Sequence, residues 1–132
     1  MNNQIPFFLA RVAIGVSLLG HGLVRIPKLS GFSAWMVDKF KDSLLPSVLV
    51  TPFSYALPFA ELIAGLLMVL GLFTRLGLTI GSWIMIILIF GSSMVEDWGA
   101  IPSQLIHVAF LTVVLVFDHS HNSYALDKMI RK

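Results

Sequence analysis

The chain has 132 residues, of which 57% are hydrophobic and 12% charged, and its mean hydropathy is +0.88. A soluble domain carries about 25% charged residues, so this composition excludes an ordinary soluble enzyme and indicates a membrane protein. The net charge is only +2, and the lack of cysteine excludes a disulfide framework, a thiolate metal site and a dithiol redox motif.

Four segments are apolar over enough of their length to cross a bilayer, which takes about 20 helical residues. They run from about 6 to 26, 53 to 73, 76 to 95 and, somewhat shorter, 101 to 117. Only Thr74 and Arg75 separate the second and third spans, which predicts a tight antiparallel hairpin. We therefore expect a single all-α integral membrane domain over residues 1–132, a four-transmembrane-helix bundle with both termini on one side.

The connection from Pro27 to Pro52 is too long to be bare chain. Its apolar residues recur at intervals of three and four, and charged residues fill the other positions; the apolar set is Phe32, Trp35, Met36, Phe40 and Leu44. This pattern predicts an amphipathic interfacial helix over about 32–45, between the first two spans. It serves either as an anchor against lipid headgroups or as a lid over polar groups of the bundle.

Three titratable residues, His21, Glu61 and His107, stand inside apolar spans, where such side chains are costly and mark a functional site by default. At 1.5 Å per residue they lie about 8, 12 and 9 Å from the same face of the membrane. They therefore form a candidate polar cluster at one depth, with no catalytic role assigned. Arg25 and Gln104 flank it, each one turn nearer the membrane surface.

Arg11 lies toward the opposite, terminal face of the bundle, where the fourth span ends at Asp118. A contact between them would neutralise both charges, so we predict a structural Arg11–Asp118 ion pair. No metal site is expected, because two histidines and one carboxylate fall short of the four ligands of structural zinc. Haem ligation by His21 and His107 is a remote alternative.

Small residues share helix faces with these charged residues, which favours close helix approach. The first face carries Arg11, Gly15, Leu18, Gly22 and Arg25, and the second carries Ser54, Pro58, Glu61, Gly65, Met68 and Leu72. On these residues, together with His21, Lys28, Gly71, Thr74, Arg75 and the His107 segment, the chain resembles the DoxX family of small four-helix membrane proteins. The resemblance extends over essentially the whole chain, and its second-span motif is the most specific part.

The resemblance implies a membrane subunit linked to thiosulfate or sulfur oxidation that passes electrons to quinone, or a relative acting in oxidative-stress complexes. A shared fold does not fix a reaction. This chain also lacks the cysteines of some family members and has no soluble domain for sulfur chemistry. The redox chemistry of the cysteine-bearing members is therefore not carried over to it.

Two functions lead, and whether the protein is an enzyme stays open. The first is an accessory or assembly subunit of a membrane complex, in which the polar cluster fixes helix register. The alternative is a quinone-interacting redox subunit, with a histidine binding a carbonyl oxygen, Glu61 carrying a proton, and Trp83, Phe90 and Phe110 lining the slot. A small transporter is a third possibility, although no inverted repeat or broken helix supports it.

The expected partners are the lipid bilayer and other membrane or redox subunits. The charges cluster at helix ends and in one connection, as is typical of a membrane surface rather than a nucleic-acid patch. Quinone is the one cofactor considered. We expect a bacterial-type cytoplasmic (inner) membrane, and the positive-inside count slightly favours cytoplasmic termini.

Overall fold

Residues 3–130 of the computed structural model are described. They form six α-helices joined by short connections and contain no strand. The helices are α1 (Gln4–Arg25), α2 (Leu29–Phe40), α3 (Ser47–Leu70), α4 (Thr74–Met94), α5 (Ile101–His121) and α6 (Leu126–Ile130). Four helical stretches are long and apolar enough to cross a membrane, namely Gln4–Phe40, Ser47–Leu70, Thr74–Met94 and Ile101–Ile130. The all-α fold with four spans is thus confirmed.

The four long helices form an antiparallel ring in which α1 packs on α3, α3 on α4, α4 on α5, and α5 on α1. Apolar side chains from all four fill the centre, and Leu18, Met68, Leu78 and Leu111 are essentially inaccessible to solvent. Many other large apolar side chains point outward, as expected where lipid replaces water. Because neighbouring long helices run in opposite directions, α2 and the start of α5 lie at the same end of the bundle.

The boundaries of the second and fourth spanning helices differ from the predicted ones. The second span was predicted to begin near Phe53. The helix instead begins at Ser47, after the extended Pro46, and it includes Pro52. The fourth helix likewise continues past the apolar segment to His121.

Helix α2 follows α1 through a single 3₁₀ turn, Ile26–Lys28, in which Pro27 occupies an early position. It ends at Phe40, earlier than the predicted segment of 32–45. It packs on α3, where its buried side chains are Ser33 and Met36. Its position in the membrane interface stays a prediction.

Candidate functional site

Glu61 is the most deeply buried acidic side chain of the candidate site, and its partner is Arg25. Helix α3 carries Glu61 on the face that packs against α1, and its residue exposure is 1%. Arg25, in the last turn of α1, donates from Nη1 to both carboxylate oxygens at 2.8 and 2.7 Å. A buried carboxylate in an apolar bundle needs such a partner, so Arg25 belongs to the site rather than to its edge.

His21 and His107 lie side by side across the α1–α5 contact, with ring centroids 6.3 Å apart and edge-to-face. Each ring nitrogen Nδ1 lies 2.7 Å from the carbonyl oxygen one turn earlier, at Ser17 for His21 and Ser103 for His107. A carbonyl oxygen only accepts, so Nδ1 carries a proton in both rings. His107 Nε2 is also hydrogen-bonded to the Ser17 hydroxyl, over 2.8 Å.

The three predicted residues thus lie at one end of the bundle, but they form two groups. Glu61 pairs with Arg25, and His21 lies against His107. Glu61 lies within electrostatic range of both His21 and His107, while its hydrogen bonds go to Arg25. The His21 ring is largely exposed on the outside of the bundle, and Glu61 is inside it. A catalytic or binding role for the cluster stays a prediction.

Gln104, the other flanking residue, lies in the first turn of α5 and donates from Nε2 to the Ser92 hydroxyl of α4 at 2.9 Å. Its Oε1 is buried and has no hydrogen-bond partner among residues 3–130. Ser92 and Gln104 both line a cavity that also reaches Arg25. The two flanking residues, Arg25 and Gln104, thus line the same cavity, whereas the sequence predicted each of them one helical turn from a histidine.

This cavity measures about 520 Å³ and lies between α2 and the adjacent ends of α3, α4 and α5. Its lining is mostly apolar and aromatic, including Phe32, Trp35, Phe53 and Phe90. Ligand sites in proteins have this volume and this character, an apolar wall with few polar groups. Of the three aromatic residues suggested for a quinone slot, Phe90 lines the cavity, whereas Trp83 and Phe110 do not.

The charged groups of the cavity wall are paired. Arg25 is bound to Glu61, and its guanidinium lies 4.8 Å from the centre of the Phe32 ring. Lys39 of α2 donates to Asp97 of the α4–α5 connection at 2.5 Å. That hydrogen bond and the positive charge of Lys39 lower the pKa of Asp97 below its usual value. With both cations balanced, the wall favours a neutral ligand over an anion.

Arg25 still offers hydrogen bonds to a ligand. Both of its bonds to Glu61 start from Nη1, so the N–H groups at Nη2 and Nε make no hydrogen bond within residues 3–130. The side chain is 25% exposed and lines the cavity. A guanidinium donates and never accepts, so the matching group on a ligand is an acceptor such as a carbonyl oxygen.

At the opposite end of the bundle, Arg11 is buried and donates to Asn122 Oδ1 at 2.5 Å and to the Tyr124 carbonyl at 2.8 Å. Asn122 in turn donates to Asp118 at 2.9 Å and to Thr74 at 3.0 Å. Asn122 therefore links Arg11 to Asp118, and the direct ion pair between those two residues stays a prediction. This group is remote from the cavity and ties the end of α5 to α1 and α4.

Sequence reasoning missed Ser17, Asn122 and the pairing of Arg25 with Glu61. A signal for the last existed, because Arg25 shares a face with Gly22 and Glu61 shares one with Gly65. Uncharged hydrogen-bonding residues such as Ser17 carry no such signal, since serine is common in membrane helices. Within residues 3–130, no group of three or more His, Cys, Asp or Glu residues could hold a metal ion.

Comparison with protein families matches the chain to DoxX over residues 7–94. The match covers α1 to α4 and includes His21, Arg25 and Glu61, while α5 with His107 lies beyond it. No curated protein and no solved structure matches the chain. The matched segment is more than half of the sequence and contains the whole second-span motif. The chain therefore belongs to the DoxX family and is an integral membrane protein.

Proposed function

We propose that the protein is a membrane subunit that binds a quinone in the cavity beneath α2. The observation that carries this proposal is Arg25, which lines the cavity, is held by Glu61 and has N–H groups at Nη2 and Nε that make no hydrogen bond within residues 3–130. A quinone is neutral, flat and lipid-soluble, and its carbonyl oxygens accept hydrogen bonds. It suits a cavity with aromatic walls and balanced charges.

Electrons for the quinone would come from another protein of the complex. The sequence has neither a cysteine nor a flavin or nicotinamide motif, so a donor subunit with its own redox centre is the natural partner. Reduction of a quinone to a quinol consumes two electrons and two protons. Glu61 does not line the cavity itself, but it is hydrogen-bonded to Arg25, which does. It is therefore the candidate proton carrier.

The test is quinone binding by the protein in lipid nanodiscs. Trp35 lines the cavity, so a short-chain ubiquinone added to the sample should quench its fluorescence. Arg25→Lys keeps a cation beside Glu61 but removes the planar donor group, and we expect about tenfold weaker binding from the loss of one hydrogen bond to a charged group. Arg75→Lys, exposed at the other end of the bundle, is the matched control and should bind normally.

Two results would contradict the proposal: quenching that is unchanged in Arg25→Lys, or gently extracted protein without quinone that also fails to bind the added compound. The second result would favour the other candidate, an accessory or assembly subunit without a ligand. The observation behind that candidate is the partly buried Arg25–Glu61 pair itself, since such pairs can specify a unique packing of helices.

A further inference from the structure

We propose that α2 is a hinged lid over the cavity and that the Lys39–Asp97 ion pair is the latch that holds it closed. The inference rests on the proposed ligand site, because a lid matters only if something enters the cavity. Five residues of α2 line that cavity, spaced along one face of the helix: Phe32, Trp35, Met36, Lys39 and Phe40.

The two sides of α2 are attached very differently. Toward α3 the attachment is firm, with Met36 buried and the Ser54 hydroxyl donating to Ser33 at 2.6 Å in a buried contact. Toward the α4–α5 connection, Lys39–Asp97 is the one polar contact that the described residues make. The α3 side therefore behaves as the hinge side of α2. The other side, where Phe40 lies against Gly91 of α4, is the edge that opens.

The latch is of a kind that opens easily. Lys39 and Asp97 are 32% and 30% exposed at their side chains, and partly exposed ion pairs contribute little to stability. Lys39 also lies 5.0 Å from the centre of the Trp35 ring, so its ammonium has a second favourable position after it leaves Asp97. Breaking the ion pair thus leaves neither charge buried.

The chain on either side of α2 allows a small rotation. Before α2 lies the 3₁₀ turn Ile26–Lys28, and after it the non-helical residues 41–46 lead into α3. Short turns and loop residues at helix ends are the usual places where a lid absorbs a change in backbone angles. Opening would part Lys39 from Asp97 and give access to the cavity between α2 and the start of α5.

The absence of native cysteine allows a clean test of lid motion with introduced thiols. Ser92→Cys places a thiol in the cavity wall, and its rate of modification by a maleimide reports how often the cavity opens. Adding Asp97→Asn should raise this rate by about two- to fivefold, the change in population expected when a partly exposed ion pair is lost. Asp38→Asn, which removes the exposed Asp38–Lys41 pair within the same region, is the matched control and should leave the rate unchanged.

A second experiment closes the lid instead. In a Lys39→Cys/Asp97→Cys protein, a short bis-maleimide should slow both association and release of short-chain ubiquinone, whereas the same reagent on Asp38→Cys/Lys41→Cys should not. Equal thiol reactivity in Asp97→Asn and the parent, or unchanged quinone kinetics after cross-linking, would overturn the lid. If Asp97→Asn raises thiol reactivity but no quinone binds, the lid stands and the proposed function fails.

Discussion

Glu61 shows how single residues determine the candidate site. Its carboxylate lies among apolar helices with a side-chain exposure of 2%, a position that is tolerable only with a charged partner. Arg25 supplies that partner from the preceding span, and it still faces the cavity. One ion pair therefore allows a charge inside the bundle and, in the proposed quinone site, also fixes a hydrogen-bond donor.

This arrangement makes a quantitative prediction for Arg25→Gln. Loss of the guanidinium leaves the buried carboxylate without a cation, and we expect the free energy of unfolding to fall by about 3 kcal/mol, as for other buried pairs that lose one partner. The measurement is reversible unfolding in mixed micelles. The double variant Arg25→Gln/Glu61→Gln removes both charges and should recover most of the loss; equal stability of Arg25→Gln and the parent would contradict the argument.

Depth along a helix could be read from the sequence, whereas rotation about the helix could not. A constant rise per residue placed His21, Glu61 and His107 at one end of the bundle without knowledge of any contact. The partner of each depends on which helices are neighbours, and the four spans permit several arrangements. For that reason Arg25 was predicted as a flanking residue and emerged as the partner of Glu61.

At the scale of helices, the contact between α1 and α3 is the closest in the bundle. A Cβ atom added at Gly22 would lie 2.7 Å from both the Leu62 nitrogen and the Pro58 oxygen, which are backbone atoms and cannot move alone. Gly65 meets the backbone of α1 at Leu19 in the same way. Small residues are thus required here so that Arg25 and Glu61 can approach each other.

Gly22→Ala should force α1 and α3 apart and lower the free energy of unfolding by about 1–3 kcal/mol, the usual cost of overpacking. Gly20→Ala is the matched control, because nothing lies within 4 Å of a Cβ atom at Gly20. It should be neutral or slightly stabilising, since alanine favours helix over glycine. Thermal unfolding of both variants is measured in the same detergent. Equal changes in the two variants would show that the close backbone contact at Gly22 does not determine stability.

The helices themselves were predictable because hydropathy reports directly on the bilayer, and their ends were not. An apolar window ends where polar residues begin, but a helix continues as long as its backbone hydrogen bonds can be made. Thus α5 extends through His119 and His121, and α3 starts well before Phe53. The cavity could not be predicted either, because its wall combines residues of α1 to α5 with residues of the connections that follow α2 and α4.

At the scale of the whole molecule, the ring of four spans places the start of α1 and α6 at one end of the bundle and α2 at the other. Basic residues lie at both ends of the bundle; Arg25, Lys28, Lys39 and Lys41 belong to the α2 end, where Glu96 and Asp97 also lie. Arg75 and Lys128 lie at the other end, with Arg11 nearer to it, whereas Arg131 and Lys132, which the sequence assigns to the same end, lie outside the described residues. The positive-inside rule counts Lys and Arg in short loops, and from the sequence it predicts, by a narrow margin, that the terminal end faces the cytoplasm.

Introduced cysteines test this orientation without background, since the sequence has none of its own. Asn3→Cys and Met129→Cys are at exposed positions of the terminal end, and Lys41→Cys is exposed just after α2. In intact cells, a membrane-impermeant maleimide should label Lys41→Cys, and it should label the other two only after the cells are opened. Labelling of Asn3→Cys and Met129→Cys from opposite sides would contradict the four-span bundle, whereas labelling of both from outside would keep the bundle and reverse its orientation. In either orientation the lid and the cavity share the side of Lys41, so the same labels decide from which side of the membrane the latch is reached.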